Sequence, residues 1–105
     1  MNSRVSNLYV GNINPKASPK FQRLEATTGS AVSLSTLHED TDYVIIDVQS
    51  NNVMVRFDGA AATSANGHLL VKEQGLIVLS RNAAAKASFI GSGGTSVVFA
   101  EQFVD

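Results

Sequence analysis

The alternation of apolar and polar positions along the chain predicts a series of short β-strands. The clearest case is the stretch from Tyr43 to Asp58, YVIIDVQSNNVMVRFD, in which Asn51 and Asn52 separate two alternating runs. Asparagine tolerates the positive φ of a two-residue hairpin turn. A hairpin closed there has the pairs Ser50–Val53, Val48–Val55 and Ile46–Phe57 on one face, and Asp47–Arg56 and Gln49–Met54 on the other. We therefore predict a central hairpin with one buried, apolar face.

A second hairpin is predicted within residues 20–35, KFQRLEATTGSAVSLS, where Gly29 lies between two short runs. A three-residue loop of Thr28, Gly29 and Ser30 allows a left-handed glycine and closes the turn. The resulting register pairs Leu24 with Leu34 and Ala26 with Val32, so the apolar residues again share a face.

A third hairpin is predicted from Ala87–Gly91 and Thr95–Phe103, joined through Gly93 and Gly94. A two-residue loop gives the pairs Phe89–Val98, Ile90–Val97 and Ser88–Phe99. Both faces of this hairpin carry large apolar groups, and such a pair of strands must be covered on both sides. It therefore lies in the middle of the domain, or its second face meets another chain.

The remaining segments complete an all-β pattern. Residues 69–72 and 76–80 are strand-like, 82–86 favour a short turn of helix, and the small side chains of 59–68 indicate an ordered surface loop. About eight short strands at intervals of roughly ten residues are typical of a small antiparallel β-sandwich or barrel. We assign this domain to residues 20–105.

Residues 1–19 differ from the rest of the chain, because they are rich in asparagine and contain Pro15 and Pro19. Two prolines four residues apart favour an extended, non-helical segment. This pattern predicts an extended N-terminal arm with a short apolar patch, Leu8-Tyr9-Val10. A first edge strand over residues 6–10 is the alternative, and the sequence leaves both open.

Composition narrows the possible functions. The chain has no cysteine, 16% charged residues against 44% hydrophobic residues, and a net charge of −1. Disulfides and thiolate metal sites are therefore excluded, and nothing indicates binding to nucleic acid or to an anionic membrane. A small net charge also gives little electrostatic repulsion between copies, as expected for a protein that functions in an assembly. With neither a signal-peptide pattern nor an apolar run of about 18 residues, we expect a soluble protein.

Motifs for catalysis or ligand binding are weak. His38 lies beside Glu39, Asp40 and Asp42, but the spacing matches neither a calcium loop nor a zinc site, so a solvated acidic loop is favoured. The chain has no G-x-S-x-G motif, and the glycines of 91–94 lack the Lys-Ser/Thr of a P-loop. We therefore expect no enzymatic activity, no cofactor, no metal and no small-molecule substrate.

The order of features from Val53 to Phe103 is VMVRFDG, AAATSANGHLL, GLIVLS and AKASFIGSGGTSVVFAEQF. This order resembles small structural proteins of tailed bacteriophages, in which a strand ending in R-F-D-G precedes an Ala/Thr loop, a G-H-L-L segment and a closing glycine-containing hairpin. The resemblance implies a non-enzymatic β-sandwich of the virion, assembled in the host cytoplasm. Decoration or cement of the capsid is the expected role, and a head-to-tail or tail position is the alternative.

These observations together predict a homo-oligomer that also binds other virion proteins, either the major capsid protein or head-to-tail and tail proteins. The arm would lie along a neighbour and add a strand to its sheet. The predicted interface residues are Leu8, Tyr9, Val10, Ile13, Phe89, Val98 and Ala100. A carbohydrate-binding module at a tail tip, using Tyr43 or Tyr9, is a second hypothesis.

Overall fold

The computed structural model describes residues 21–34 and 36–104 as eight strands and one short helix. The elements in chain order are β1 (Phe21–Ala26), β2 (Val32–Ser33), β3 (Tyr43–Gln49), β4 (Asn52–Arg56), β5 (His68–Leu70), β6 (Ile77–Ser80), α1 (Arg81–Lys86), β7 (Ser88–Ser92) and β8 (Ser96–Phe103). The predicted strands and the predicted turn of helix are all present. The helix begins after Ser80, whose Oγ accepts a hydrogen bond from the Ala83 N–H at 3.1 Å, as an N-cap does.

The strands form two four-stranded antiparallel sheets, which confirms the predicted β-sandwich. The front sheet has the order β1-β8-β3-β6, and the back sheet has the order β2-β7-β4-β5. β1 pairs with β8, β2 with β7, β3 with β6 and β4 with β5, so the chain folds back on itself like one long hairpin. Further pairing of β3 with β8 and of β4 with β7 wraps that hairpin into two layers. Eight strands in this order form a jelly roll.

The core lies between the two sheets. Every second residue of β3, β4 and β8 is buried, as expected for strands with one face against another layer. The buried apolar cluster consists of Leu24, Ala26, Val44, Ile46, Val48, Val53, Val55, Leu79, Ala84, Ala87, Phe89, Val98 and Ala100. Most of these side chains are β-branched or aromatic, which suits the packed surface of a pleated sheet.

The three predicted hairpins are wrong, although their strands are correct. β1 and β2, β3 and β4, and β7 and β8 each lie in opposite sheets, so the chain crosses the sandwich at each of the three connections. Val48 is the partner of Val98, not of Val55, and Leu24 is also a partner of Val98. The predicted Asp47–Arg56 pair is absent for the same reason. The alternation of apolar and polar residues is compatible both with a hairpin in one sheet and with a connection between the two sheets, because the apolar side chains face the core in either case.

Side-chain hydrogen bonds hold two of these crossings together. The β3–β4 crossing turns at Ser50, with φ 77°, rather than at the two asparagines. Asn51 Nδ2 donates to the Thr95 carbonyl at 2.9 Å, and Ser96 Oγ donates to the Asn51 carbonyl at 2.6 Å. The β3–β4 and β7–β8 connections are therefore fixed against each other at one end of the sandwich.

Candidate protein-binding face

The outer surface of the front sheet carries several large apolar side chains. Successive side chains of a strand point to opposite faces, so the residues that alternate with the core residues on β3 and β8 point outward. The outward apolar residues of the front sheet are Phe21 on β1, Tyr43 and Ile45 on β3, Val78 on β6, and Val97, Phe99 and Phe103 on β8, of which Ile45 and Phe103 are themselves buried. The polar residues of the same face are Arg23, Glu25, Asp47, Gln49, Ser80 and Glu101. Phe21 is 56% exposed and Val78 is 47% exposed, so large apolar side chains meet the solvent at both edges of the sheet.

Strand register places these side chains next to one another. Phe21, Glu101, Ile45 and Val78 lie in one row that crosses all four strands from β1 to β6. The ring of Phe21 stacks on that of Phe99 with a centroid distance of 5.7 Å and an interplanar angle of 26°. Stacked aromatic pairs are favourable, and this pair forms an apolar ridge along the β1 edge.

A groove with a volume of about 450 Å³ runs beside this ridge. We call it the front groove; its walls include Phe21, Ile45, Asp47, Leu76, Phe99 and Glu101. A volume of this order, with a mostly apolar lining and few polar groups, is typical of binding sites. The front groove therefore suits an apolar segment of a partner.

Two carboxylates, Asp47 and Glu101, are the charged groups of the front groove. Asp47 Oδ2 accepts a hydrogen bond from Gln49 Nε2 at 2.8 Å. Ion pairs between described residues join Arg23 to Glu25 and Arg56 to Asp58, and neither groove carboxylate belongs to one of them. The front groove thus combines an apolar wall with net negative charge, a combination that attracts a basic segment.

The outer surface of the back sheet is more polar. One apolar row crosses it, formed by Ile90, Met54 and Leu69. The neighbouring row contains Ser33, Ser88 and Arg56. Polar rows of this kind are typical of a solvated sheet face. The front sheet is therefore the stronger candidate for contact with a partner.

The structure does not place the predicted interface residues together on one surface. Leu8, Tyr9, Val10 and Ile13 lie outside the described residues. Phe89 and Val98 are fully buried between the sheets, so their assignment to an interface is wrong. Ala100 contributes to the floor of the front groove, but its side chain is 5% exposed and belongs to the core cluster.

Sequence reasoning missed the outward residues of the front sheet. Within β8 it selected Val98 and Ala100, whereas the opposite set, with Val97, Phe99 and Glu101, faces out. The run Tyr43-Val44-Ile45-Ile46 was an available indication, because a strand that is apolar at consecutive positions is covered on both faces. Both faces of the last two strands were predicted to be apolar, and the outward face of β8 does carry the apolar residues Val97 and Phe99.

Tyr43, proposed above as a platform for a sugar ring, stacks on Phe103. The two ring centroids are 5.4 Å apart and the rings are nearly parallel, at 8°. One face of the Tyr43 ring is therefore occupied by Phe103 and is closed to a ligand.

The acidic turn around His38 has a structural role. His38 Nδ1 accepts a hydrogen bond from the Asp40 N–H at 3.1 Å, and the His38 N–H donates to Gln102 Oε1 at 2.9 Å. Arg81 Nη1 donates to the carbonyls of His38 and Thr41, both at 2.7 Å. These bonds attach the 36–42 segment to the end of β8 and to the start of α1.

Within residues 21–34 and 36–104, no three His, Asp or Glu side chains are grouped closely enough to hold a metal ion. In the same part of the chain, no helix has the length and apolar character needed to cross a membrane.

Arg56 and Asp58 form an exposed pair at the end of β4, beside His68. Arg56 Nε donates to Asp58 Oδ1 at 3.1 Å and Nη2 donates to Oδ2 at 2.5 Å, while the Ala60 N–H donates to Oδ1 at 3.2 Å. The hydrogen bond from Arg56 and that from Ala60 lower the pKa of Asp58 from 3.8 to about 2. Both bonds favour the ionised carboxylate.

We expect replacement of Arg56 by glutamine to raise the pKa of Asp58 back toward 3.8, because the guanidinium is the largest cause of the shift. A lowered pKa stabilises the folded state above the ordinary pKa, and that contribution is lost as the pH falls from about 4 to about 2. NMR titration of the side-chain carboxyl carbon measures this pKa directly. An unchanged pKa in the variant would contradict the assignment to Arg56.

Comparison of the chain with protein families, with curated proteins and with solved structures gives no match.

Proposed function

We propose that the chain is a non-enzymatic structural protein of a tailed-bacteriophage virion, which associates with copies of itself and with neighbouring virion proteins. Capsid decoration or cement is the proposed role, and a head-to-tail or tail position is the alternative. The observation that carries the self-association is the apolar outer face of the front sheet. The assignment to a phage virion rests on the sequence resemblance over residues 53–103.

The apolar face supports association because exposed apolar area is costly in water. Burial of such area contributes about 25 cal/mol per Å², and a standard protein interface removes roughly 800 Å² from each partner. Phe21 and Val78, two of the most exposed large apolar side chains among the described residues, lie at opposite edges of this face. A contact that spans them would cover the whole width of the front sheet.

The fold is compatible with this role. Jelly rolls occur in viral capsid proteins and also in lectins and cupins, so the fold by itself does not select a function. Side-chain hydrogen bonds fix the β3–β4 and β7–β8 connections against each other at one end of the sandwich, which helps the front sheet to keep its shape in an assembly. Weak contacts repeated over many copies then give a stable assembly without a tight individual contact.

Light scattering after size exclusion, over a range of protein concentrations, tests self-association. We expect the protein to form oligomers and Phe21→Glu to raise the dissociation constant at least tenfold, since a charge would be placed in the apolar face beside Glu101. Leu69→Glu is the matched control, because Leu69 is 53% exposed but lies on the back sheet. Circular dichroism confirms that both variants are folded.

Binding to the virion is tested separately by co-sedimentation with capsids that lack this protein. We expect saturable binding, weakened by Phe21→Glu and unchanged by Leu69→Glu. A protein that stays monomeric at every concentration and also fails to sediment with capsids or isolated tails would show the proposed function to be wrong.

A further inference from the structure

We propose that the front groove is the binding site for the N-terminal arm, residues 1–19, of a second copy of this chain. This inference rests on the proposed function and makes it specific, since it names both the surface that accepts the contact and the segment that occupies it. Charge, apolar character and chain length support it independently.

The charge of the arm is opposite to that of the front groove. Residues 1–19 contain two basic residues, Arg4 and Lys16, and no acidic residue. All nine acidic residues of the chain lie in the remainder, which has six basic ones. Asp47 and Glu101 bring part of this negative charge into the front groove. Complementary charge of this kind steers two surfaces together and fixes their orientation.

The apolar patch Leu8-Tyr9-Val10 matches the lining of the front groove. Phe21, Ile45, Leu76 and Phe99 provide apolar walls on both sides. An extended segment with a central tyrosine can place its ring against the Phe21–Phe99 pair, because aromatic rings prefer to stack or meet edge to face. Recognition of short extended segments commonly relies on such apolar anchors in a preformed groove.

Chain length favours a groove on a second copy. The described part of the domain begins at Phe21, whose side chain is itself part of the groove wall. Ten residues lie between Val10 and Phe21, and eleven steps of about 3.3 Å along an extended chain give a reach of roughly 36 Å. Neighbouring strands lie about 4.8 Å apart, so the groove beside β1 spans only some 10–15 Å of the sheet.

An extended arm therefore passes beyond its own groove before Leu8-Tyr9-Val10 can enter it. Pro15 and Pro19 favour this extended course over a sharp return. The longest dimension of the described domain is 35 Å, so the same reach brings the patch to a neighbouring copy. Because each copy then donates one arm and accepts another, the contact can close a ring or continue along a surface.

Photocrosslinking of the full-length protein tests the site. The photoreactive residue p-benzoylphenylalanine replaces Tyr9, and equal amounts of protein with natural nitrogen and with ¹⁵N are mixed, allowed to exchange and irradiated. We expect position 9 to crosslink to residues of β3 and β8 around the groove. The crosslinked peptides should include pairs in which one peptide contains natural nitrogen and the other ¹⁵N, which shows that two copies are joined. Crosslinks only within one chain, or only to other surfaces, would overturn the proposal.

Charge reversal gives a second, independent test. We expect Glu101→Lys to weaken self-association about tenfold, and a chain that also carries Arg4→Glu and Lys16→Glu to regain most of the loss. Glu39→Lys is the control, because Glu39 is exposed on the 36–42 segment and away from the front groove. Equal weakening by Glu39→Lys, or no recovery in the combined variant, would contradict a specific contact between arm and groove.

Failure of this inference can be distinguished from failure of the proposed function. Oligomers, or binding to capsids, without intermolecular crosslinks to the groove would overturn the inference and leave the structural role in place. Absence of oligomers and of binding to capsids and tails alike would overturn the proposed function, and the inference with it.

Discussion

Replacement of Gly91 by alanine is expected to destabilise the domain by about 3 kcal/mol or more, because one added methyl group would collide with two backbone oxygens. A Cβ at position 91 would lie 2.4 Å from the Ala26 carbonyl oxygen and 2.4 Å from the Gly94 carbonyl oxygen. Both are main-chain atoms and cannot rotate away as a side chain can. For a domain of this size, the loss lowers the melting temperature by more than about 10 °C.

The crowding at Gly91 follows from the way the two sheets meet. The Gly91 N–H donates to the Thr27 carbonyl at 2.8 Å, which brings β7 of the back sheet against the end of β1 of the front sheet. Three residues later the chain has already turned back toward β8. Gly91 therefore lies where the chain passes between the two sheets, and a side chain added there would push β7 away from the end of β1.

Thermal and urea unfolding, followed by circular dichroism, measure this effect. Gly29→Ala is the matched control, because a Cβ at position 29 meets no atom within 4 Å. We expect that variant to unfold within a few degrees of the original protein. If Gly91→Ala were as stable as Gly29→Ala, the approach of β7 to β1 would be looser than the structure shows.

The strands were predictable from the sequence because each one alternates or is continuously apolar, and turn residues separate them. The partners of the strands were not predictable from the same information. Val48 faces the core whether it is opposite Val55 in a hairpin or opposite Val98 across β8, so the apolar pattern is identical in both arrangements. The contacts that decide between them, such as Ser96 Oγ with the Asn51 carbonyl, join residues 45 positions apart.

The apolar character of the candidate site was predictable, but its residues were not. Continuous apolar sequence in the last strands predicted a hairpin covered on both faces, either within the domain or by another chain, and contact with another chain stays a prediction. Alternate residues of a strand point to opposite faces, and which of the two groups faces outward depends on the sheet to which the strand belongs. An error of one residue therefore places Val98 outside in the position that Phe99 occupies. Phe21 was missed because its exposure is set by its position at the edge strand β1, which only the sheet order defines.

Wrapping of the long hairpin also has a consequence for assembly. β1 is an edge strand, it pairs with β8, and its first residue, Phe21, lines the front groove. The segment proposed to be donated is thus joined to the chain next to the groove proposed to accept it. Neighbouring copies can then exchange arms without any rearrangement of the core.

A comparison of two Phe→Ala substitutions separates the core from the proposed binding face. Phe89 is fully buried, next to Val32 on β2 and Val55 on β4, and Phe89→Ala is expected to cost about 3–5 kcal/mol of the free energy of unfolding. Total stability for a domain is about 5–15 kcal/mol, so this variant loses a large part of it. Urea denaturation gives the free energy, and a lower midpoint with an unchanged slope shows that stability has fallen while the surface exposed on unfolding is the same.

Phe21→Ala removes the same ring from a side chain that is 56% exposed. We expect it to cost less than about 1 kcal/mol of the free energy of unfolding, because surface substitutions rarely cost more, while it weakens self-association measurably. The two variants should therefore differ in the property that changes. Phe89→Ala lowers the free energy of unfolding, and Phe21→Ala weakens self-association. If Phe21→Ala were as unstable as Phe89→Ala, Phe21 would be a core residue, and the front groove would lose the wall on which the proposed contact depends.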